Sequence, residues 1–346
     1  MELLFSNIPP LRSTHRNTVS CFENLFEKAD SVKIATGYVS ASALVELKKI
    51  IELNQKPYLE LMIGMHGFEG FTHSQYETAT NLDNFLRANK AGKVKVATAF
   101  KFHGKVYTFS SHSCPFSSIL GSSNLNSIFD SQNLYEVDLC ITEPMLLKQL
   151  DSFIYDFSEK SCTPLNEYEP FFIEAKNTLL EEIEGVEKVK NDDFIKILSQ
   201  QTNISFKIPV KSFSDAPRSN LNVFFGKGRK NKRGFVKPRH WYEVELIVPK
   251  EITGQAGYPN KESIITVYTD DQWKFKCKIS GDYSKNFRSA DDLKILGRWI
   301  KGRLENKGSL KIGDPVTEES LQHYGRDNFE LISTIDPLVW ILNFKP

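Results

Sequence analysis

Three runs in the first half of the chain decide its fold: KFHGKVYTF at residues 101–109, ILGSSNLN at 119–126 and LYEVDLCI at 134–141. Aromatic and β-branched residues predict that the first run is a strand. Residues i and i+2 of a strand point to one face, so His103 and Lys105 are expected side by side. A histidine beside a fixed cation is a good nucleophile for phosphorus, although such a pair alone is more often a half-exposed strand edge.

The turn and the acid that follow make the chemical interpretation more specific. Gly121 lets the backbone turn sharply and approach a ligand, while Ser122 and Asn124 can donate hydrogen bonds to phosphate oxygens. Glu136, at the start of the next predicted strand, is placed to accept a proton from the far ring nitrogen of His103. Each of these residues alone fits an ordinary polar loop or surface strand. Together, and in this order, they predict a phosphate-directed active site.

Around these runs, residues 1–180 alternate between strand and helix patterns. Ser40 is the expected cap of a helix over residues 40–53, and Thr80 and Gly92 are the expected cap and stop of the next helix. Two further helices are expected at 143–160 and 169–186. The expected strands are 32–40, 59–65, 94–100, 102–109, 118–121 and 134–141. The alternation predicts an α/β domain with a mixed sheet flanked by helices.

Charge divides the chain into two parts. Residues 1–190 contain 18 Lys/Arg and 24 Asp/Glu, whereas residues 191–346 contain 26 and 19, and all four tryptophans lie in the second part. An acidic stretch, LLEEIEGVEKVKNDD, marks the change. The sequence therefore predicts a first domain at 1–180, which carries the candidate active site, a linker at 181–192 and a second domain at 193–346.

The remaining composition is that of a globular protein, 40% hydrophobic and 25% charged. Its five cysteines are scattered without a CxxC pair, which argues against a disulfide framework and a cysteine-based zinc site. The amino terminus lacks a signal-peptide pattern, and no apolar run approaches the roughly 20 residues of a membrane span. We therefore expect a soluble, cytoplasmic protein that does not associate with a membrane.

The second part has the texture of a small all-β domain, with short alternating strands such as SIITVYTD and WKFKCKIS. Residues 218–239 carry eight Lys/Arg and no acid, and a second polar stretch, SGDYSKNFRSADD, contains Lys285, Asn286 and Arg288. A basic run is often only a solvated face. Here the glycines would let a loop follow a phosphate backbone, and Asn and Arg suit base edges, which favours DNA as the partner.

HGK at residues 103–105, GSSN at 121–124 and the acid at 136 together resemble the signature of the phospholipase D superfamily. The aspartate usual five residues after the lysine is Ser110 here, a loss typical of the restriction-endonuclease branch that includes the BfiI-like and NgoFVII-family enzymes. The resemblance implies that Glu136 orients the histidine and that no metal or other cofactor is needed. It also implies two facing His-x-Lys sets. This chain has one, so a homodimeric active site is expected.

The second half resembles the B3-type pseudobarrel, in which two loops embrace the DNA major groove. That resemblance makes residues 220–233 the first arm and 281–289 the second. The DNA-binding residues it implies are Arg218, Asn220, Asn222, Lys227, Arg229, Lys230, Lys232, Arg233, Lys285, Asn286 and Arg288.

Together the two resemblances imply a site-specific type II restriction endonuclease that reads a short GC-rich site in double-stranded DNA. A cognate DNA methyltransferase is the implied companion. Some relatives act with a helicase-like ATPase. This chain contains no G-x-x-x-x-G-K-[ST] loop, so any use of ATP is expected to come from such a partner.

Three alternatives compete with this interpretation. Asp30, Glu46 and Lys48 imitate the acid and acid-x-Lys pattern of magnesium-dependent nucleases, but Glu46 and Lys48 fall in a helical pattern where i and i+2 do not share a face. A sequence-specific DNA-binding regulator would use the same second domain without needing the complete histidine set. A lipid-cleaving phospholipase would share the active site but would have no use for the basic arms.

Overall fold

The computed structural model describes residues 1–130, 134–174, 178 and 180–346. The chain separates into two compact units. The first comprises residues 1–176 together with 230–237, and the second comprises 177–229 and 238–346. A short basic segment thus belongs to the first unit although it lies far along the sequence. No helix among the described residues is long and apolar enough to cross a membrane.

The first unit is built from alternating strands and helices. Its strands are β1 Glu2–Phe5, β2 Ser31–Thr36, β3 Tyr58–Ile63, β4 Gly92–Ala97, β5 Val106–Ser111, β6 Cys114–Gly121, β7 Val137–Ile141 and β8 Cys162–Pro164. Its helices are α1 Thr18–Lys28, α2 Ala41–Asn54, α3 His66–Glu69, α4 His73–Ala88, α5 Leu125–Phe129 and α6 Pro144–Ser161.

These strands form one mixed sheet in the order β1-β7-β6-β5-β2-β3-β4-β8. The central strands β2, β3 and β4 run parallel, and the neighbouring pairs on either side are antiparallel. Ile34 of β2, for example, pairs with Leu61 in the parallel direction and with Tyr107 in the antiparallel direction. The predicted α/β domain with a mixed sheet is confirmed.

Helices cover both faces of this sheet. On one face, α1, α2 and α4 bury a large core that includes Phe22, Leu47 and Leu86. On the other face, α6 buries Phe157 against a smaller cluster that includes Met62. Burying apolar surface on both sides contributes most of the driving force for such a layered domain.

The helix caps were only partly predicted. Ser40 caps α2 as expected, since its hydroxyl accepts from the Ala43 N–H at 3.1 Å. The next cap was wrong: Thr72, not Thr80, caps α4, in a capping box with Gln75 that satisfies two otherwise unbonded amides. The expected stop was also wrong, because α4 ends at Ala88 and Gly92 opens β4.

The expected helix over residues 169–186 is wrong in the part of it that the structure describes. Residues 171–173 run alongside Phe71, which donates its N–H to Phe171 and accepts from the Ile173 N–H at 2.9 Å. The ring of Phe172 also stacks on His73, with centroids 4.0 Å apart. Backbone pairing and stacking therefore replace the helical bonds that the apolar pattern predicted. Residues 175–177 and 179 of this prediction lie outside the described residues.

The strand expected over residues 102–109 begins only at Val106. Its first partner on β2 is Ala35, and the preceding residues 101–105 have no regular structure. Phe102 instead donates its N–H to the Gly64 carbonyl at 3.1 Å, which draws this segment across the end of β3. The prediction was therefore wrong for His103 and Lys105, which precede the strand.

The second unit is rich in strands, as predicted. The strands of the carboxy-terminal half are β9 Glu187–Lys188, β10 Gln201–Pro209, β11 Arg229–Lys230, β12 Val236–Lys237, β13 Leu246–Ile247, β14 Ile264–Thr269, β15 Trp273–Ser280, β16 Asn286–Ser289, β17 Asn328–Thr334 and β18 Val339–Asn343. Its helices are α7 Asn191–Leu198, α8 Lys250–Thr253, α9 Lys294–Asn306 and α10 Glu318–Tyr324.

One sheet in the order β10-β17-β18-β14-β15-β16-β13 forms a half-barrel in this unit, and β9 also pairs with β15. The pairs are antiparallel except β14 with β18. Helix α9, which the strand pattern did not predict, buries Trp299, Ile300 and Leu304. The half-barrel confirms the predicted strand-rich, B3-like character, to which helix α9 is an addition.

Candidate active site and DNA interface

His103 and Lys105 lie together at the end of the first sheet, although not side by side on a strand. The Lys105 side chain folds back so that its Nζ donates to the His103 carbonyl at 2.7 Å. The same Nζ lies 3.2 Å from Nε2 and 3.4 Å from Nδ1 of the imidazole. A cation held there would draw a phosphate oxygen toward the ring nitrogens.

Lys105 is buried, and this burial lowers the pKa of its ammonium group, while the Glu136 carboxylate acts in the opposite direction. The two causes have a simple origin. Loss of water destabilises a charge, and a nearby opposite charge stabilises it. Glu136 therefore acts electrostatically on the lysine beside the histidine.

The expected hydrogen bond between Glu136 and His103 is not made by these two described residues. The Glu136 carboxylate instead accepts from the Ser122 hydroxyl at 2.6 Å and from the Ser127 hydroxyl at 2.7 Å. The Ser122 hydroxyl is thereby directed at the acid rather than at a ligand. Ser127 was not identified from the sequence, where a serine inside a short helix carries no distinguishing signal.

Asn124 is held with a defined orientation of its amide. Its Oδ1 accepts from the Tyr38 N–H at 3.1 Å and from the Thr36 hydroxyl at 3.2 Å. Because the carbonyl end is used in this way, the NH₂ end is the donor that can meet a phosphate oxygen. A Cβ atom built on Gly37 would lie 3.3 Å from the His103 ring and 3.5 Å from Asn124 Oδ1, so both side chains border this glycine.

A buried carboxylate that the sequence analysis missed supports the GSSN turn. Asp138 accepts from the Ser123 N–H at 3.0 Å, from the Ser123 hydroxyl at 2.5 Å and from the Thr18 hydroxyl at 2.6 Å. The turn approaches so closely that a Cβ on Gly121 would lie 2.2 Å from Asp138 Oδ1. An acid inside the apolar run LYEVDLCI was the signal that could have found it, since buried carboxylates need such partners.

Tyr38 is a third residue that sequence reasoning missed, after Ser127 and Asp138. Its ring packs edge-on against both His103 and His66, with centroids 5.7 Å apart in each case. Its hydroxyl donates to Glu69 at 2.7 Å, and Glu69 also pairs with Lys101 at 3.1 Å. The bond to Glu69 raises the pKa of Tyr38, and the Tyr38 and Lys101 bonds lower the pKa of Glu69.

His66 lies beside this group but is fully engaged by the backbone. Its Nδ1 lies 2.9 Å from the Gly70 carbonyl, and its Nε2 accepts from the Val39 N–H at 3.3 Å. Burial lowers the pKa of His66. The arrangement assigns a neutral ring with the proton on Nδ1, so His66 has no nitrogen left for proton transfer.

Asp30, Glu46 and Lys48, the rival nuclease pattern, do not come together as a metal-binding group. Asp30 precedes β2 and accepts from the Ser111 hydroxyl at 2.9 Å and the His112 N–H at 3.1 Å, at the opposite end of β2 from the Gly37 region. Glu46 is buried within α2, and the Lys48 ammonium lies 5.6 Å from the Phe85 ring centroid. These positions provide no common cation site.

The predicted DNA-binding residues fall into different environments. In the second unit Arg218, Lys227 and Arg229 are exposed, and Lys285, Asn286 and Arg288 are half-buried on or just before β16. Arg229 pairs with Glu243 at 2.8 Å, and Arg288 approaches Glu245 at 3.9 Å.

Asn220 and Asn222, by contrast, are buried. The Oδ1 of Asn220 accepts from the Ile247 N–H at 2.8 Å. The amide of Asn222 accepts from the Val316 N–H at 2.9 Å and donates to the Val316 carbonyl at 3.3 Å. Both side chains brace the backbone and are buried in this conformation, so neither is exposed to solvent.

Lys230, Lys232 and Arg233 lie in the segment that folds with the first unit. This segment, residues 230–237, is held by Asn54, whose amide donates to the Val236 carbonyl at 2.9 Å and accepts its N–H at 2.8 Å. Phe235 packs against the core of the first unit. Arg233 lies 3.8 Å from Glu27, and Lys237 pairs with Glu23. The expected first arm, 220–233, is therefore not one continuous loop of the second unit.

Comparison with known protein families decides the affiliation. The model of the NgoFVII restriction endonuclease N-terminal PLD domain matches residues 16–167. The model of the NgoFVII C-terminal B3-like DNA-binding domain matches residues 196–335. The chain belongs to the NgoFVII restriction endonuclease family. The phospholipase D-like and B3-like folds expected from the sequence are thereby confirmed.

Solved structures give weaker similarities. NucT from Helicobacter pylori is 17% identical over 47% of this chain and 98% of its own, with a TM-score of 0.33. Nuc, a phospholipase D family member from Salmonella typhimurium, is 12% identical over 50% and 97%, with a TM-score of 0.33. A phosphatidylserine synthase from Haemophilus influenzae is 16% identical over 48% and 40%, with a TM-score of 0.35. No curated protein matches the chain significantly.

In this NgoFVII-family chain the predicted active-site residues lie close together, whereas the predicted DNA-binding residues do not. His103, Lys105 and Asn124 lie around Gly37 and the end of β2, with Ser122 and Glu136 bonded to each other. The predicted arm residues are divided between exposed, buried and first-unit positions. The family match supports a nuclease with a DNA-binding domain.

Proposed function

We propose that this NgoFVII-family protein cleaves DNA at specific sites through His103, without a metal ion. The observation that carries the proposal is the Lys105 ammonium 3.2 Å from a His103 ring nitrogen. A cation there binds the scissile phosphate beside a nucleophile, and the Asn124 NH₂ group can add a second donor.

The chemistry takes place in two displacements. A ring nitrogen of His103 attacks phosphorus, the bond from phosphorus to the leaving oxygen breaks, and that oxygen takes a proton from a second histidine. Water then attacks the phosphohistidine and gives its proton to the second histidine, and the phosphorus–nitrogen bond breaks. Each histidine ends as it began, and the phosphate has gained one water oxygen.

The second histidine comes from His103 of the partner subunit, which makes the enzyme a homodimer. Within this chain His66, which packs against the same Tyr38 ring as His103, has both ring nitrogens engaged by the backbone. One chain therefore supplies half of the acid–base pair.

An apolar strip on the first sheet supports association near this site. Leu3, Leu139 and Leu120 are cross-strand neighbours on β1, β7 and β6, and Val137 lies on the same face. Leu3, Leu120 and Val137 are exposed. Leu120 and Val137 directly adjoin Gly121 and Glu136. A second copy seated on this strip would meet its partner beside both half-sites, and burying the strip would contribute to association.

The wider setting follows from the family and remains part of the proposal. We infer a short GC-rich recognition sequence in double-stranded DNA, a cytoplasmic type II enzyme and a cognate methyltransferase that protects the host. A helicase-like ATPase would account for any ATP dependence, since this chain has no phosphate-binding Walker loop.

Plasmid cleavage in excess chelator tests the activity directly. Wild-type protein is expected to give discrete fragments, and His103→Ala is expected to give none while still retarding the same DNA. Specific retardation without cleavage by both proteins would instead identify a DNA-binding regulator. Activity that requires added magnesium would contradict the metal-free mechanism.

The homodimer is tested by Leu120→Glu with Val137→Lys, compared with Leu338→Glu, an exposed leucine of the second unit. Equilibrium sedimentation should show a dimer for wild type and Leu338→Glu, and a monomer with little cleavage for the paired substitutions. A wild-type monomer that cleaves DNA would overturn the shared site.

A further inference from the structure

Tyr38 is fixed at three points around the candidate active site. Its N–H donates to Asn124 at 3.1 Å, its hydroxyl donates to Glu69 at 2.7 Å, and its ring meets the His103 ring at 5.7 Å and 77°. The backbone contact joins Tyr38 to Asn124, the proposed hydrogen-bond donor to phosphate, and the ring contact joins it to His103, the proposed nucleophile. Lys101 holds Glu69 from the solvent side at 3.1 Å.

His103 needs such a support because no strand ladder fixes it. It lies in the irregular segment before β5, so its backbone lacks the regular pairing that orients side chains on a strand. Lys105 approaches both ring nitrogens, and Gly37 offers no side chain to the ring. Tyr38 is the aromatic ring that packs against this imidazole among the described residues.

We propose that Tyr38 is a positioning residue that holds the His103 imidazole at the angle required for attack on phosphorus, with Glu69 and Lys101 anchoring its hydroxyl. This inference rests on the proposed nuclease function and adds a residue to it. Attack requires the nitrogen lone pair to align with phosphorus. Rotation of the ring away from that line should therefore lower the cleavage rate constant and leave the affinity for DNA unchanged.

The hydroxyl itself has no direct chemical step in this account. Its proton is committed to Glu69, and that bond raises the pKa of Tyr38, which keeps the phenol neutral. The ring provides the support, and the hydroxyl keeps the ring in place. Phenylalanine should therefore preserve most of the function, whereas a small or aliphatic side chain should not.

The test measures single-turnover cleavage and DNA affinity separately for Tyr38→Ala, Tyr38→Leu and Tyr38→Phe. Loss of the ring should lower the cleavage rate constant by roughly 10²-fold, with the Kd for DNA unchanged. Tyr38→Phe should restore the rate to within about fivefold of wild type, because it loses one hydrogen bond and keeps the ring. Tyr38→Leu keeps apolar volume, so the experiment does not depend on Tyr38→Ala folding.

Tyr76→Leu is the matched control. Tyr76 is a half-buried tyrosine of α4 in the same unit, packed against Phe71 with centroids 5.7 Å apart, and its ring does not contact the His103 ring. Its substitution should lower the melting temperature about as much as Tyr38→Leu and leave the cleavage rate unchanged.

The outcomes separate this inference from the function on which it rests. If wild type does not cleave DNA, the nuclease proposal fails and the role of Tyr38 falls with it. If wild type cleaves and Tyr38→Leu cleaves equally fast, Tyr38 does not position the histidine. A rate loss shared by Tyr76→Leu, or a weaker Kd without a rate loss, would also overturn the proposal.

Discussion

The candidate active site of the first unit and the candidate DNA interface of the second differ in how far residues that are close in sequence also lie together in the structure. His103, Lys105 and Asn124 lie within 22 residues of sequence and converge beside Gly37. The basic residues from 218 to 239 are also close in sequence, yet they are divided between two compact units. Chemistry that needs a few atoms in contact is encoded in a short motif, whereas a binding surface depends on how distant segments pack.

The largest expected effect is a loss of cleavage without a loss of DNA binding. His103→Ala should reduce the cleavage rate by on the order of 10⁴-fold, since it removes nucleophile and proton donor together. DNA affinity should stay unchanged, because Lys105, Asn124 and the second domain, and not the His103 ring, supply the phosphate and base contacts in the proposed function. Rapid-quench cleavage and gel retardation measure the two quantities. Equal loss of affinity and rate would mean that the two regions are not separable.

The support of the active-site turn should matter next. Asp138→Ala removes a buried carboxylate that accepts three hydrogen bonds and leaves their donors without a partner. The free energy of unfolding of the first unit should fall by about 3 kcal/mol. Urea denaturation measures it, with Asp151→Ala as the control. Asp151 forms a partly exposed ion pair with Lys33, so its loss should cost no more than about 1 kcal/mol. Equal losses would contradict the role given to Asp138.

Within the second unit, Asn222 and Lys227 sharpen the distinction between bracing and binding. Lys227→Ala should lower the salt dependence of DNA binding by about one unit of slope and leave stability unchanged. Asn222→Ala should leave that slope unchanged and cost about 2 kcal/mol of stability, because it leaves both backbone groups of Val316 unpaired. Binding titrations at several salt concentrations measure the slope, and urea melts measure the stability. If Asn222 contacted DNA, Asn222→Ala would instead lower the salt dependence or the affinity of DNA binding and leave stability unchanged.

The smallest expected effect concerns pH. Burial lowers the pKa of Lys105, so the cation that we propose binds phosphate loses its proton at a lower pH than an ordinary lysine, and cleavage should decline as pH rises through that pKa. Glu136 opposes the shift. Glu136→Gln should therefore move the alkaline limb of the single-turnover profile to lower pH. If the limb moves to higher pH or stays in place, Glu136 does not stabilise the charged form of Lys105.

The sequence predicted the elements whose signals are local. Ser40 capped its helix as expected, and the alternation of apolar runs predicted the mixed sheet. Thr80 failed as a cap because Thr72 and Gln75 satisfy the helix amides eight residues earlier. Residues 171–173 failed as a helix because Phe71, a hundred residues away, pairs with their backbone. Long-range pairing overrides local propensity, and a single sequence does not reveal its partner.

The residues of the candidate site were also predicted where their signal is local and missed where it depends on long-range contacts. His103, Lys105 and Asn124 were found because their spacing forms a recognisable motif. Tyr38 and Asp138 were missed because their importance comes from contacts across the sheet, with His103 in one case and with Ser123 and Thr18 in the other. Asn220 and Asn222 were assigned to DNA because an asparagine in a basic loop carries no sign of being buried.

The central claim is that two copies of His103 form one catalytic centre. Mixed dimers made by co-folding wild type with His103→Ala in varied proportion test it most directly, with total protein and DNA binding held constant. A centre that needs both histidines predicts that cleavage falls as the square of the wild-type fraction, because a mixed dimer lacks either the attacking or the protonating group. Cleavage in simple proportion to the wild-type fraction would contradict the shared site.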